Sequence, residues 1–349
     1  MNEQSAGGWP PVSVIIPVRN EEPYLADAVR HVLGQDYPAE VEVVLAVGPS
    51  SDRTEQIARD IAAAEPRVMV VPNPTGKIPA ALNLALSAAK HDVLARMDGH
   101  AMMPAGYLRT GVNALVETGA ADVGGVMAAE GISAFQRAVA WGMTSKAGVG
   151  SAAFHTGGGA GPADSVYLGI YRRAAIERAG GWDEQMLRAE DWELNYRIRG
   201  DGGLIWFTPE LQVTYRPRAT VRALASQYWH YGRWRRVVMR EHPETASLRY
   251  LAPPAAAALC ALGLAAGIAG LAAGIGWLIA AFAIPVVYLA GVAAVSAAAS
   301  GNQPANIRLR LPLILAVMHM CWGAGFLTSP RRLHRVAEEK PQYVMRHGI

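Results

Sequence analysis

The stretch Ala95-Arg96-Met97-Asp98-Gly99-His100-Ala101 decides how the rest of the chain is interpreted. The mainly apolar run 92–95 predicts a short buried strand, and the chain turns polar at Asp98. In an open α/β sheet, ligands bind beyond the carboxyl ends of the strands. There, a carboxylate at Asp98 and an imidazole at His100 can face one divalent cation, a donor pair that suits Mn²⁺ or Mg²⁺. The alternative is a simple turn at Asp98 and Gly99.

Strands and helices alternate through the first half of the chain. Apolar runs at 12–17, 41–47 and 68–71 predict strands that precede the one ending at Asp98, and helical periodicity follows each of them. This order predicts an α/β fold, with a mostly parallel sheet covered by helices on both faces. Less regular strands are expected at 123–127, 165–170, 204–207 and 213–215.

The charge pattern divides the 349 residues into two parts. A net charge of +3 is too small to suggest nucleic acid as a partner. Residues 250–307 contain no Asp, Glu, Lys or Arg, and the runs 251–273 and 275–298 are each long enough to cross about 30 Å of hydrocarbon. A third apolar run, 311–327, is shorter. Its crossing would place the basic tail outside, so a re-entrant or interfacial position is equally open.

Arginines cluster just before the apolar block, which predicts a cytoplasmic juxtamembrane segment. They are Arg216, Arg218, Arg222, Arg233, Arg235, Arg236 and Arg240. Because residues 220–241 mix these arginines with aromatic residues, we expect a helix on the membrane surface; a solvated helix with a buried aromatic stripe is the alternative. The two cysteines both lie in apolar runs, which argues against a disulfide framework and fits a reducing compartment. The N-terminus does not resemble a signal peptide, so we expect the catalytic part in the cytoplasm.

Six motifs then occur in a characteristic order. They are Pro17-Val18-Arg19-Asn20-Glu21, Ser50-Ser51-Asp52-Arg53-Thr54, Gly76-Lys77 with Ala81-Leu82-Asn83, Asp98-Gly99-His100, Gly180-Gly181-Trp182-Asp183-Glu184 and Glu190-Asp191-Trp192. Over 12–236 the chain resembles an inverting glycosyltransferase of family 2 with the GT-A fold, of the bacterial membrane-attached, exopolysaccharide type. We expect a catalytic domain at 1–217, a basic aromatic helix at 218–249, a transmembrane region at 250–330 and a basic tail at 331–349.

The resemblance assigns the chemistry. It implies that Asp191 is the general base that deprotonates the acceptor, although a helix cap is the alternative for this residue. It also implies Mg²⁺ or Mn²⁺ held by Asp98, with His100 as a second ligand. The family's metal motif usually ends in a carboxylate, so His100 is a departure, and a turn residue is its alternative.

Nucleotide recognition is implied by the same motifs. Pro17, Val18 and Glu21 are expected at the base and ribose, and Lys77 at a phosphate. The complete set of expected substrate-binding residues is Pro17, Val18, Glu21, Asp52, Lys77, Asn83, Arg96, Asp98, Glu190, Trp192 and Arg233. Relatives usually carry an acid at the end of the second strand, where this chain has 47–49 without one. The missing acid leaves a GDP-sugar open as the donor, although the resemblance still favours a UDP-sugar.

The acceptor is expected to be lipid-linked, of the polyprenyl type. Processive synthases carry Gln-x-x-Arg-Trp, whereas here Gln227 and Arg233-Trp234 are too far apart, so addition of a single sugar is expected. Arg233 is as plausible as a membrane anchor. The alternatives are a polyprenyl-phosphate sugar synthase and a catalytically silent nucleotide-binding scaffold. The expected location is the inner cell membrane, multi-pass, in contact with membrane lipids; a homo-oligomer is left open.

Overall fold

The computed structural model describes residues 8–150, 152–331 and 333. Within these residues, eight strands form one sheet in the order β3-β2-β1-β4-β7-β5-β8-β6. The strands are β1 (Val12–Val18), β2 (Val41–Val47), β3 (Val68–Pro72), β4 (Val93–Arg96), β5 (Asp122–Ala129), β6 (Gly161–Pro162), β7 (Tyr167–Arg172) and β8 (Ile205–Tyr215).

Helices cover both faces of the sheet and continue beyond it. They are α1 (Leu25–Leu33), α2 (Thr54–Ala64), α3 (Ile78–Ala88), α4 (Tyr107–Thr118), α5 (Ala134–Thr144), α6 (Lys146–Val149), α7 (Ala153–Thr156), α8 (Arg173–Arg178), α9 (Glu190–Gly200), α10 (Val221–Glu241), α11 (Leu248–Ala273), α12 (Gly276–Ile279), α13 (Ala283–Ala299), α14 (Ala305–Arg308) and α15 (Leu311–Leu327). Short 3₁₀ turns occupy Pro243–Thr245 and Ala280–Phe282.

The half of the sheet built from β1 to β4 is parallel, as the sequence predicts. Successive side chains of a strand point to opposite faces. Val14 and Ile16 of β1 accordingly enter the core under α1, α2 and α4, whereas Ile15 enters the core under α3, α8 and α9. Burial on both faces explains why these strands are continuous apolar runs.

The other half of the sheet is mixed, a feature that the sequence pattern did not predict. Strand β7 runs antiparallel to both β4 and β5, and β8 is one long strand parallel to β5 instead of two short ones. A register shift between Gly124 and Val126 accommodates the bend of β5 against β8. Because β7 is reversed, its first residue, Tyr167, lies at the same edge of the sheet as the ends of β4 and β8.

Three helical segments among the described residues are long and apolar enough to cross a membrane: Leu248–Ala273, Gly276–Ala299 and Ala305–Leu327. The first two expose most of their surface, and large side chains such as Leu262 and Ile268 of α11 have no protein contact covering them. Glycines of α11 pack closely on the returning segment, since a side chain at Gly267 would overlap the ring of Phe282.

The third apolar segment is different, because α15 packs along α10 and α5. Gly325 of α15 lies against the backbone of Trp229, and Gly232 of α10 lies against the backbone of Trp322, so the two helix backbones touch. His319 donates from Nε2 to the carbonyl of Ala147 at 2.8 Å. One side of α15 is therefore covered by the domain that contains the sheet.

Helix α10 is likewise packed against protein rather than lying free. Tyr228 and Trp234 are almost fully buried, and both belong to apolar clusters with neighbouring elements. Of its arginines, Arg222 is exposed, whereas Arg235 is buried and the others are half-buried. The predicted basic tail, apart from Arg331 and Leu333, lies outside the described residues.

Candidate active site

Two loops at the carboxyl ends of β1 and β2 interlock. Asn20 adopts a left-handed backbone with φ of 56°, and its side-chain oxygen accepts a hydrogen bond from the amide of Ser51 at 2.8 Å. Asp52 accepts from the hydroxyl of Thr54 at 2.6 Å and from the amide of Glu22 at 3.2 Å. Asp52, predicted to bind the nucleotide, thus shapes the two loops that surround the expected nucleotide position.

The other predicted nucleotide residues lie on this edge with different exposures. The side chain of Val18 is buried in the core, so only its backbone reaches the edge, where its carbonyl accepts from the amide of Gly48 at 2.8 Å. Pro17, Glu21 and Lys77 are half-buried. Lys77 immediately precedes α3, with its ammonium group uncommitted to any carboxylate among the described residues.

Arg96, the last residue of β4, is the centre of a buried charge cluster. Its Nη1 donates to Oδ1 of Asp191, and its Nη2 lies 3.1 Å from Oε1 of Glu190 and 3.4 Å from Oδ1 of Asp98. Burial lowers the pKa of Arg96, but the charges of Asp191, Asp98 and Glu190 raise it by more. One guanidinium therefore joins the candidate metal ligand to the candidate base.

Helix α9 supplies two of these carboxylates from its first turn. The position places them at the positive end of the helix dipole. Glu190 is buried, and burial is the main reason that its pKa rises to about 6, with Arg96 opposing the rise. Asp191 is more exposed, with a side chain 22% accessible, so it can reach an acceptor as well as Arg96. Asp191 is not the N-cap of α9, because Ala189 holds that position and no side chain forms a capping hydrogen bond there.

The motif at 180–184 places a tryptophan against Asp191, the candidate base. Trp182 is buried and donates from Nε1 to Oδ1 of Asp191 at 3.2 Å. Asn83 fixes this loop: its oxygen accepts from the amide of Trp182 at 2.9 Å, and its Nδ2 donates to the carbonyl of Trp182 at 2.8 Å. Asn83, expected to contact substrate, is thus committed to the loop that positions Asp191.

Asp98 and His100 lie on the open side of the cluster. His100 Nδ1 is 2.8 Å from Oε1 of Glu21, and this hydrogen bond is the main reason that the pKa of His100 is raised. Gly99 between them approaches the side chain of Glu21 so closely that a Cβ would lie 3.0 Å from its Cγ. The turn therefore places His100 in contact with Glu21, close to Asp98.

The turn with Asp98 and His100 fits a metal only with help from the substrate. Among the residues that the structure describes, no three His, Cys, Asp or Glu side chains are grouped as a complete metal site. Mg²⁺ and similar hard cations are commonly held by one or two protein ligands, with substrate phosphates and water filling the remaining positions. Asp98 and His100 match that donor number, and His100 can take part through Nε2 while its Nδ1 keeps the contact with Glu21.

Two predicted residues are elsewhere. Trp192 stacks on Tyr196 with ring centroids 5.7 Å apart, and the guanidinium of Arg235 lies 4.4 Å from the centroid of the Trp192 ring. Arg233 lies over the ring of Trp229 at 4.3 Å, within the contact between α10 and α15. Both roles expected for Arg233, the diphosphate contact and the membrane anchor, stay predictions.

Three residues near the cluster were not predicted from the sequence as site residues. Tyr167 is close to Asp98 and has a pKa raised mainly by burial, and Arg218 is close enough to His100 to oppose the rise in its pKa. Asp122 is fully buried, which raises its pKa well above the ordinary value, and the charge of Asp191 adds to the rise. Of the three, only Arg218 stands out in the sequence, because it belongs to the arginine cluster before the apolar block.

The comparisons agree with this architecture. The family model described as glycosyl transferase family 2 matches residues 13–180. The succinoglycan biosynthesis protein ExoA of Rhizobium meliloti is 33% identical over 320 residues, which cover 90% of this chain and 93% of ExoA. The chain therefore belongs to glycosyltransferase family 2, as its motifs indicated, and its sheet with flanking helices is a GT-A fold.

More distant relatives extend over much of the chain as well. A dolichyl N-acetyl-glucosaminyl phosphate glucuronosyltransferase of Methanococcus voltae is 24% identical and covers 66% of this chain and 74% of that protein. The solved mannosyltransferase PcManGT of Pyrobaculum calidifontis, in complex with GDP-Man and Mn²⁺, is similar in fold, with a TM-score of 0.56. At 21% identity, it covers 92% of this chain and 87% of its own.

Proposed function

We propose that this chain is an inverting, metal-dependent glycosyltransferase that moves one sugar from a nucleotide-diphosphate sugar to a lipid-linked acceptor in exopolysaccharide or cell-envelope synthesis. The observation that carries the proposal is the junction of Asp98, Arg96 and Asp191 at the carboxyl edge of the sheet. It brings a site for the leaving diphosphate next to a carboxylate suited to be a base.

In this mechanism Asp191 accepts the proton of the acceptor hydroxyl as the oxygen attacks the anomeric carbon. The diphosphate departs from the opposite face, so one displacement inverts the configuration at that carbon. Trp182 and Arg96 hold Oδ1 of Asp191 by hydrogen bonds, which leaves Oδ2 for the acceptor hydroxyl. The guanidinium also forms ion pairs with the carboxylates of Asp98 and Asp191.

The departing diphosphate develops negative charge that must be neutralised. Asp98 and His100 would hold Mn²⁺ or Mg²⁺, which supplies Lewis-acid stabilisation when bound. We infer that Lys77 and Arg218 add cationic contacts, since Lys77 starts α3 at the same edge and Arg218 lies close to His100. His100 would bind through Nε2, with Glu21 holding its Nδ1.

The nucleobase of the sugar donor has two candidates, uracil and guanine. No acidic residue ends β2, where relatives that read uracil usually carry one, and PcManGT is described with GDP-Man. A UDP-sugar is favoured by the family pattern, and the GDP-sugar is the alternative. For the acceptor, the name of the M. voltae relative describes transfer to a dolichyl-linked sugar, which supports a lipid-linked substrate here.

The chain reaches its apolar segments from the edge of the sheet that carries the candidate active site. Strand β8 ends there, and α10 and then α11, the first apolar segment, follow it along the chain. We propose that α11 and the segment Gly276–Ala299 cross the inner membrane and that α15 lies at its cytoplasmic surface. The extensive cover of α15 by α10 and α5 supports the interfacial position.

The proposal is tested by nucleotide binding to the full-length chain in detergent, measured by calorimetry. We expect UDP or GDP to bind with Mn²⁺, to bind far less with chelator, and to lose the metal-dependent part in Asp98→Ala. Asp201→Ala, at the exposed end of α9, is the matched control and retains binding. Absence of binding by both nucleotides to folded protein would contradict the proposed transferase and favour a silent scaffold.

A further inference from the structure

A large cavity lies between the catalytic domain and the apolar helices, separate from the Arg96 cluster. Its volume is about 980 Å³, which is at the upper end of the range for small-molecule sites. Trp192 and Arg199 of α9 form one wall, and Tyr250 and Pro253 of α11 with Trp322 of α15 form another. The cavity therefore joins the helix that carries the base to the helices proposed to enter the membrane.

The cavity has a positively charged rim. Lys146, Arg199 and Arg249 line it, and the one acidic side chain in its lining is Asp164. Asp164 lies 3.4 Å from Arg199 and 3.9 Å from Arg249, both at contact distances longer than a good hydrogen bond. The lining thus holds three cationic side chains and one exposed carboxylate, which lies near two of them. The excess positive charge favours an anionic group.

Buried polar atoms point to an incompletely satisfied site. Among the described residues, Nε of Arg199 and Nδ1 of His155 are buried without a hydrogen-bond partner. Burial lowers the pKa of His155 to about 4, so its imidazole is neutral and able to donate or accept one hydrogen bond. Buried polar groups without partners are rare in proteins and often mark a place where a ligand or water supplies the partner.

The opposite wall is apolar and rigid. The rings of Tyr250 and Trp322 stack at 6.4 Å, and the guanidinium of Arg235 lies between the rings of Tyr250 and Trp192, 3.6 and 4.4 Å from their centroids. This sandwich ties α9 to α11. An occupant must therefore combine an anionic group with an apolar chain that continues toward α11 and α15.

We propose that this cavity binds the phosphorylated head group of the lipid-linked acceptor, an isoprenyl-type diphosphate, with Arg199 and Arg249 as its principal contacts. The inference rests on the proposed function and adds the acceptor site to it. Arg199 follows Asp191 by eight residues of α9, about 12 Å at 1.5 Å per residue. A short saccharide between the phosphate and the reacting hydroxyl would span that distance to Asp191.

The test measures binding of farnesyl diphosphate to the full-length chain in detergent by calorimetry. We expect binding by the wild type, and weakening of about tenfold or more in Arg199→Gln and in Arg249→Gln, because each removes charge-assisted hydrogen bonds. Arg308→Gln, an exposed arginine of α14 outside the cavity, is the matched control and binds as the wild type does.

Three comparison probes separate the sources of the anion. Farnesol, inorganic diphosphate and phosphatidylglycerol should each bind much more weakly than farnesyl diphosphate. Equal binding of inorganic diphosphate would reveal a free-anion site, and equal binding of phosphatidylglycerol would reveal a general lipid site; either result overturns the assignment. Binding that is unchanged in both arginine variants, or absent from the wild type, overturns it as well.

Nucleotide binding with Mn²⁺ is measured on the same samples. The arginine variants should retain it, which shows that they are folded and that the two sites are separate. If the wild type binds farnesyl diphosphate but neither nucleotide, the proposed transferase fails while the cavity assignment stands. If it binds nucleotide but no farnesyl diphosphate, the cavity assignment fails while the transferase stands.

Discussion

Arg96 at the end of β4 and Asp191 at the start of α9 are 95 residues apart in sequence and joined by a direct hydrogen bond from Nη1 to Oδ1. The same guanidinium reaches Asp98 and Glu190. The contact links the strand that carries the candidate metal ligand to the helix that carries the candidate base. Both ends of the proposed reaction are therefore positioned by one buried side chain.

Replacing Arg96 should damage both stability and turnover. In Arg96→Met three carboxylates lose their shared cation, and breaking a buried ion pair in this way costs about 3–5 kcal/mol. Arg96→Lys keeps the charge but loses the two-pronged geometry, so an intermediate effect is expected. Thermal unfolding and sugar transfer measure the two effects. Arg178→Met, at an exposed arginine of α8, should match the wild type; an equally stable Arg96→Met would refute the role of the cluster.

The raised pKa of Glu190 should appear in the pH dependence of stability. The ordinary pKa is 4.5 and the folded value is about 6, so the folded chain binds more protons between these values. This group's contribution is complete below pH 4.5 and is lost as pH rises to about 6, a change of about 2 kcal/mol at most.

Glu190→Gln removes that dependence. Melting temperatures measured from pH 4 to 7 should show the variant gaining on the wild type as pH rises through this window and keeping its gain above it. Glu117→Gln, at an exposed glutamate of α4, serves as control. A constant difference between Glu190→Gln and wild type across the range would mean that Glu190 does not titrate there.

Asn83 should act through the Trp182 loop. Asn83→Ala deletes both hydrogen bonds to the backbone of Trp182, with an expected loss of about 1–3 kcal/mol in stability. Because Trp182 holds Asp191, turnover should fall while nucleotide affinity is retained. Ser87→Ala, one turn further along α3, removes only a local hydrogen bond and is the control. A loss of nucleotide affinity in Asn83→Ala would instead indicate a direct contact with the donor.

The contact between α10 and α15 depends on glycine. A side chain at Gly325 would overlap the carbonyl of Trp229, so Gly325→Val should force the helices apart and lower the melting temperature of the solubilised protein. Gly291→Val in α13 is the matched control, since nothing lies within 4 Å of its added Cβ. Equal melting temperatures for the two variants would contradict the close packing of α15.

The parallel half of the sheet could be predicted from the sequence because burial on both faces leaves a direct mark. Continuous apolar runs at β1, β2 and β4 identify buried strands, and polar residues at their ends identify the ligand-binding edge. Asp98 and Asp191 could be placed at that edge by motif order, and the structure brings them together through Arg96.

The rest depends on contacts distant in sequence. The residue pattern of β7 does not predict that this strand runs antiparallel, because the direction of a strand is set by the connections before and after it. Asn83 and Asp52 are polar, as ligand-binding residues are, but their side chains form hydrogen bonds to loop backbones. Only the folded structure shows this difference. The cavity near Trp192 required α11 and α15 to be placed against α9, which no local periodicity determines.

The central claim is that Asp191 is the base of a glycosyl transfer, and the most direct measurement compares Asp191→Asn with the wild type. Membranes that contain each protein are incubated with Mn²⁺ and radiolabelled UDP- or GDP-sugars, and label in the lipid fraction is followed. Asp201→Asn, at the other end of α9, is the control. We expect Asp191→Asn to lose about 10²–10⁴-fold in transfer rate while it still binds nucleotide. Undiminished transfer by Asp191→Asn would contradict the account.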